Sequence, residues 1–284
     1  MRAYIHKQTN KKQEMKRLLT YILAIVAVAI SSVSCDGVNK ALKTNDPQLA
    51  YEKALMFYAD GKWRQASDLF TACRHVYVGS PREDSLSFYN AYCKFKTRAW
   101  DEASTMLDEF RRKFGRSAFI EDAEGMYALC FFNMSPDPQR DQTVTSQAIV
   151  AITEFLSRYP QSDKCDEFNE MLDILTERMM EKSYLNAYTY YKIGRYKSAI
   201  VAFKNSLKQF PDTHRKDDIM YYTTLSAYRL AANSVESKQI DRYLATLDYY
   251  YSYIGEYPES KRCKELENLA KASRDFIDKN RVTE

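Results

Sequence analysis

Cys35 is the side chain whose neighbours most clearly call for chemistry. It follows Ser31, Ser32, Val33 and Ser34, which end an apolar stretch running from Leu18 to Ile30. Ahead of that stretch lie six bases (Arg2, Lys7, Lys11, Lys12, Lys16 and Arg17) and one acid, Glu14. Basic, then apolar, then small is the order of a secretion signal, and the apolar run is short for a membrane span. Small residues suit a signal-peptidase pocket, and a cysteine directly after them offers a thiol for diacylglycerol attachment. The new amino group can then take a further acyl chain such as palmitate. Several buried chains anchor stably where one is marginal. Ser32 stands where such signals usually carry Leu. The alternatives are an uncleaved helical anchor, or ordinary cleavage with Cys35 incidental. In each case the folded part faces a periplasm-like compartment. The expected division is a signal over 1–34, a lipid-anchored tether over 35–46 opening on Asp36-Gly37, and a folded body over 47–280.

The other reactive residue types form no constellation. Cys73, Cys93, Cys130, Cys165 and Cys263 are odd in number and scattered, so they offer neither a disulfide framework nor a metal cluster. Most read as small buried helix residues, with one Cys73–Cys93 bridge left open because those positions fall on sequential helices. His6 belongs to the signal, while His75 and His214 sit near helix ends and suit surface or capping roles. No phosphate loop, HExxH, GxSxG or CxxC occurs. The acidic pairs Asp101-Glu102 and Glu121-Asp122 fit helix starts, where they oppose the dipole. No catalytic site, cofactor or metal is expected. Removing the signal's charges from 42 bases and 38 acids leaves 36 and 37, a mature net charge of about −1. That balance asks for no nucleic-acid partner.

What must position any binding surface is a repeat. Only 7 Gly and 7 Pro occur in 284 residues, which favours long helices. Four segments read aromatic, Pro or Gly, any residue, Ser or Thr: Phe114-Gly-Arg-Ser117, Tyr159-Pro160-Gln-Ser162, Phe210-Pro211-Asp-Thr213 and Tyr257-Pro258-Glu-Ser260. Each should end one helix and supply a hydroxyl to cap the next. Ahead of them recurs a line of aromatic, +3 small, +7 apolar, +10 apolar or small. The copies are Trp63/Ala66/Phe70/Cys73, Trp100/Ala103/Leu107/Phe110, Tyr196/Ala199/Phe203/Ser206 and Tyr243/Thr246/Tyr250/Tyr253, with Thr145/Ala148/Ile152/Phe155 lacking only the first aromatic. Those spacings share one helix face. Gly61 and Gly194, two residues before Trp63 and Tyr196, permit the tight turn between paired helices.

This pattern predicts an all-α, tetratricopeptide (TPR)-like α-solenoid of about five helix-turn-helix repeats. They fall at about 47–81, 82–117, 118–162, 163–213 and 214–260, with a capping helix over 261–280. A polar loop interrupts repeat three at Asn133–Gln142, and a long helix spans Asp163–Lys192. Tyrosines crowd the C-terminal half: Tyr188, Tyr190, Tyr191, Tyr221, Tyr222, Tyr249, Tyr250, Tyr251 and Tyr253. Three in a row cannot face one core, so roughly half should be exposed or at an interface, the alternative being close packing between repeats with hydroxyls reaching water.

The opening segment 51–70, YEKALMFYADGKWRQASDLF, the insert 135–142, SPDPQRDQ, and the stretch 148–162, AIVAITEFLSRYPQS, follow a signal ending in cysteine. Taken in that order, they resemble the BamD family, the lipoprotein subunits of the β-barrel assembly machinery. The likeness covers nearly all of the mature chain. It implies a non-enzymatic scaffold, lipid-anchored on the periplasmic side of the outer membrane, that helps fold and insert β-barrel proteins. It further implies that repeats over about 184–280 dock on periplasmic domains of the barrel-forming subunit. Repeats over about 46–114 would meet unfolded barrel substrates. A different envelope TPR lipoprotein, coordinating peptidoglycan or division partners, is the alternative. A nutrient-binding lipoprotein of the starch-uptake type would need about twice this length.

Overall fold

The structure, a computed structural model, describes residues 46–281. The signal, Cys35 and the rest of the tether lie outside the described residues. Within them every regular element is helical. In order these are α1 (Pro47–Ala59), α2 (Trp63–Cys73), α3 (Glu83–Lys96), α4 (Trp100–Lys113), α5 (Ile120–Met134), α6 (Thr143–Arg158), α7 (Cys165–Lys192), α8 (Tyr196–Gln209), α9 (Lys216–Ala232), α10 (Glu236–Glu256) and α11 (Cys263–Arg281). The fold is a TPR-like α-solenoid. It divides into two compact units after Asn133, at the end of α5.

The recurring line of residues is the reason the helices pack. Ala66, Ala103, Ala148, Ala199 and Thr246, the five +3 positions, are all completely buried. So are the +7 residues Phe70, Leu107, Ile152 and Phe203, with Tyr250 nearly so. A small +3 side chain lets the preceding helix come close, and the bulky residue one turn later fills the space beside it. In the first unit α1 packs on α2, α2 on α3, and α3 on α4. In the second unit α7 packs on α8, α8 on α9, α9 on α10, and α10 on α11. Each of these inner helices is therefore covered on two sides. Truncating a fully buried ring such as Phe203 to Ala costs about 3–5 kcal/mol.

Two kinds of turn recur among the described residues. After α1 the Lys62 N–H donates to Phe57 O (2.8 Å) and Gly61 N–H to Tyr58 O (3.1 Å). This paired closure ends a helix with a residue just past its end in the left-handed region. It recurs after α7 (Arg195 to Tyr190, Gly194 to Tyr191) and after α3 (Ala99 to Lys94, Arg98 to Phe95). Gly61 and Gly194 have φ of 72° and 74°, which glycine adopts freely. In the third case the same place is held by Arg98 at φ 61°. That is why no glycine marked this turn in the sequence.

The second turn differs from expectation in one respect. The hydroxyls do not cap the following helix directly. Ser117, Ser162, Thr213 and Ser260 each accept from the N–H two residues on, at 3.2–3.4 Å, closing a turn just ahead of it. Ser80 does the same for Arg82 at 3.3 Å, and Ser80 N–H reaches Tyr77 O. Tyr77-Val-Gly-Ser80 is thus a fifth copy, hidden because its glycine is displaced by one position. The polar insert is pinned rather than loose: Gln142 Nε2 donates to Asp137 O (2.8 Å), and Arg178 on α7 donates to Ser135 O (2.9 Å). At the end of the array α11 buries Leu266, Ala270, Ser273 and Ile277 and turns Lys264, Glu267 and Lys271 outward, as a cap requires.

Arg98 carries a backbone conformation that an L side chain adopts at a cost of about 1 kcal/mol. Arg98→Gly should therefore stabilise the protein by about 0.5–1 kcal/mol, measured by urea unfolding, whereas Gly194→Ala should destabilise it.

Candidate partner-binding surfaces

In the first unit, α1, α2 and α3 bring half-buried rings together. Tyr58 lies 5.4 Å from Trp63, 4.9 Å from Tyr89 and 5.5 Å from Tyr92, centroid to centroid. Tyr89 continues the row to Phe119 at 5.6 Å, and Phe119 stacks on Phe88 at 4.6 Å. The Lys96 ammonium stands 5.6 Å from Tyr92 and 5.8 Å from Trp63, over both faces. Burial, with Tyr92 next in importance, holds the Tyr58 phenol well above its usual pKa. It stays a neutral hydroxyl throughout the physiological range. Such a row offers apolar area with hydroxyl edges, the chemistry that recognises apolar side chains of another chain.

At one end of these helices two turns frame an open cleft of about 730 Å³, lined by Ser80, Pro81, Asp84, Lys113, Phe114, Gly115, Arg116 and Ser117. Asp84 accepts from the Ser117 hydroxyl at 3.0 Å, joining the two turns. Beneath the rim Glu83 is buried, accepting from Gly79 N–H at 2.8 Å and pairing with Lys113. An extended segment laid in the cleft would meet a phenyl ring and two cations.

In the second unit the tyrosines follow the alternative reading, packing between repeats. Of the nine, only Tyr190 and Tyr251 are exposed, at 43% and 52%. The others are buried or half-buried, because a helix covered on both sides can bury two faces. Tyr222 lies 4.8 Å from Tyr188 and 4.9 Å from Tyr191, bridging α9 to α7. Tyr253 donates to Asp217 (2.6 Å), and Tyr221 to Glu265 (2.7 Å). Burial pushes the phenols of Tyr222, Tyr250 and Tyr253 up to about 12.

Among these rings runs a ladder of charge. Arg215 donates to both oxygens of Glu181 (2.7 and 2.9 Å) and pairs with Asp218 (3.1 Å). Asp218 also pairs with Arg262, which reaches Asp217 at 3.1 Å. Arg215 and Arg262 stand five residues after Phe210 and Tyr257, the same place in successive repeats. Each covers a tyrosine ring, Tyr184 at 5.0 Å and Tyr221 at 4.5 Å.

The structure places the remaining sequence-predicted residues as follows. Pro160, Pro211 and Pro258 are exposed in their turns, while Trp63, Trp100 and Tyr196 are half-buried at the starts of α2, α4 and α8. His75 is exposed in the short turn after α2. Cys73 and Cys93 do not bridge: both are free thiols buried in one core cluster, as Cys130 is in its own helix. Burial pushes the Cys73 thiol up to about 11, and those of Cys93 and Cys130 to about 12. Sequence reasoning missed one grouping. Glu177 and Glu181 on α7 meet His214 from the turn before α9, with Nδ1 2.9 Å from Glu177 and Nε2 3.8 Å from Glu181. The i,i+4 spacing of the two acids was visible, but the histidine arrives only through the fold.

The YfiO family, described as outer membrane lipoproteins, matches this sequence over residues 43–239, from the approach to α1 into α10. The chain belongs to that family. Its curated relatives include the outer membrane protein assembly factor BamD of Caulobacter vibrioides, 24% identical over 226 residues, covering 76% of this chain and 72% of that one. Another is the BamD of Helicobacter pylori, 20% identical over 184 residues, covering 61% and 81%. Among solved structures, the TPR2AB-domain:pHSP90 complex of yeast Sti1 is a distant likeness, with a TM-score of 0.37 and 11% identity over 80% of this chain and 98% of that one. Among the described residues no helix is long and apolar enough to cross a membrane.

Glu83 is held below the ordinary glutamate pKa by Lys113 first and the Gly79 amide second. A depressed folded-state pKa means the stabilisation is complete above the unfolded value and lost as pH falls through the folded one. Glu83→Gln should lower stability at pH 7 and flatten its decline at acid pH, below the usual carboxylate range. Chemical unfolding between pH 7 and pH 3 measures both effects.

Proposed function

We propose that this chain is a non-enzymatic scaffold lipoprotein of the β-barrel assembly complex, helping to fold and insert outer-membrane β-barrel proteins. What carries this reading is family membership together with assembly-factor relatives aligned over 72% and 81% of their own lengths. The anchor is the acylated Cys35, and the tether over 35–46 leaves the repeats on the periplasmic side. Five repeats, at about 47–81, 82–117, 118–162, 163–213 and 214–260, present paired helices to partners, and 261–280 closes the array. The aromatic row and cleft within 46–114 receive unfolded barrel segments: rings take apolar side chains, and an extended backbone fits an open cleft. Residues 184–280 dock on periplasmic domains of the barrel-forming subunit. There the exposed Tyr190 and Tyr251 supply removable contact area, since neither closes a core.

Tagged protein purified from membranes should bring a barrel-forming outer-membrane subunit with it. Tyr190→Ala combined with Tyr251→Ala should weaken that association by about 1–2 kcal/mol without lowering thermal stability. Recovery with wall-synthesis enzymes or muropeptides, and no barrel subunit, would transfer the protein to the peptidoglycan reading. The anchor has its own test. With five free thiols in the described residues, the denatured mature protein should take up five equivalents of alkylating reagent, Cys35 being blocked as a thioether. Cys35→Ala should leave the signal uncut at its normal position and release the protein from lipid attachment. An unblocked sixth thiol in the wild-type protein would end the lipidation claim.

A further inference from the structure

We propose that Glu177, Glu181 and His214 form a binding site for a divalent transition metal, with Zn²⁺ the best match, tying α7 to the turn ahead of α9. One donor atom from each of the three residues lies within 4.8 Å of the others. Ligand atoms around a tetrahedral zinc stand roughly 3.3–3.5 Å apart, a distance reachable here by small side-chain adjustments. One pair, His214 Nδ1 and Glu177 Oε1, stands at 2.9 Å, a hydrogen-bond distance that must open slightly to admit the ion.

The ligand chemistry chooses the metal. Ca²⁺ and Mg²⁺ demand oxygen donors and several of them, whereas one imidazole with two carboxylates suits zinc and its neighbours. Glu177 and Glu181 are one helical turn apart on α7, so both carboxylates reach the same face of the helix as His214.

A built surround separates this group from a chance meeting of surface side chains. The Glu181 side chain is only 18% exposed, and the Arg215 fork donates to both of its oxygens, fixing its plane and leaving their outer lone pairs for an ion. Arg215 is fixed in turn by Asp218 and by the Tyr184 ring. Such outer contacts hold a ligating carboxylate in one orientation. Glu177 and His214 are about half exposed, at 52% and 50%, which leaves an entry path and room for water to complete the coordination. A metal held there would join neighbouring repeats in the same layer as the Glu181–Arg215 pair.

The test uses the full-length lipoprotein in detergent, stripped with chelator and titrated with Zn²⁺ alone by calorimetry. One saturable site is expected, with a higher melting temperature when it is filled. His214→Ala, His214→Asn and Glu177→Gln should each weaken binding by about tenfold or more. Their metal-free melting temperatures should stay near wild type, because both residues are half exposed. Cys165→Ser with Cys263→Ser should bind as wild type does. Absence of saturable binding, equal binding in the His214 variants, or loss only in the cysteine variant would each overturn the proposal. The barrel-subunit association is read separately, so failure of either reading leaves the other measurable.

Discussion

Covering a helix on two sides at once is the constraint on which this structure depends. A single amphipathic stripe satisfies a helix lying on a core, but an inner helix of a stacked array has a partner on one side and the next repeat on the other. The solution is a small residue at the close crossing and a large one a turn later. Ala66, Ala103, Ala148, Ala199 and Thr246 hold the first place, and Phe70, Leu107, Ile152, Phe203 and Tyr250 the second. A side chain larger than Thr at the crossing would push the axes apart and open the space that the larger residue fills. Overpacking of that kind costs about 1–3 kcal/mol at each site.

Given that packing, the turns need only hold the helices in register, and two designs serve at every turn but those after α5 and α9. One reverses direction within a pair through a left-handed residue after α1, α3 and α7. The other, between pairs, places an aromatic, a short turn and a hydroxyl that accepts from the N–H two residues on. In the second unit the between-pair turns also carry Arg215 and Arg262, whose guanidinium groups link one turn to the acids of the neighbouring helices. Partly exposed pairs are individually worth about 1 kcal/mol or less. Their value lies in direction: a planar fork lying on a tyrosine ring admits few alternative registers.

Much of this was legible in the sequence because it is periodic. The buried line, the glycine turns and four of the five hydroxyl turns follow from residue type and spacing alone. What escaped was whatever broke local pattern. Arg98 adopts glycine's conformation without being glycine, and Tyr77-Val-Gly-Ser80 shifts its glycine by one place. For the tyrosines the structure favours the second of the two readings, packing between repeats. One buried face per helix would expose more of them, but Tyr188, Tyr191 and Tyr222 meet across repeats on a second face. The Glu177, Glu181 and His214 grouping was out of reach because its members are joined by the course of α8, which no local spacing encodes.

The distribution of tyrosine then bears on how such a scaffold can bind. Most of the aromatic surface in the second unit is consumed by the stack itself, so its phenols are hydrogen-bonded to Asp217, Glu265 and Glu267. The exterior of that unit carries isolated rings, Tyr190 and Tyr251, and scattered aliphatic side chains such as Ile193, Val201 and Val235 among its charges. The first unit keeps a continuous half-buried row from Tyr58 to Phe119 beside an open cleft. Isolated rings on a charged surface favour a folded partner with complementary relief and charge, where a few buried anchors carry most of the energy. A continuous row favours an extended chain, whose side chains arrive at a regular spacing and need no fixed shape. The two units therefore differ in how much aromatic surface their own packing leaves uncovered.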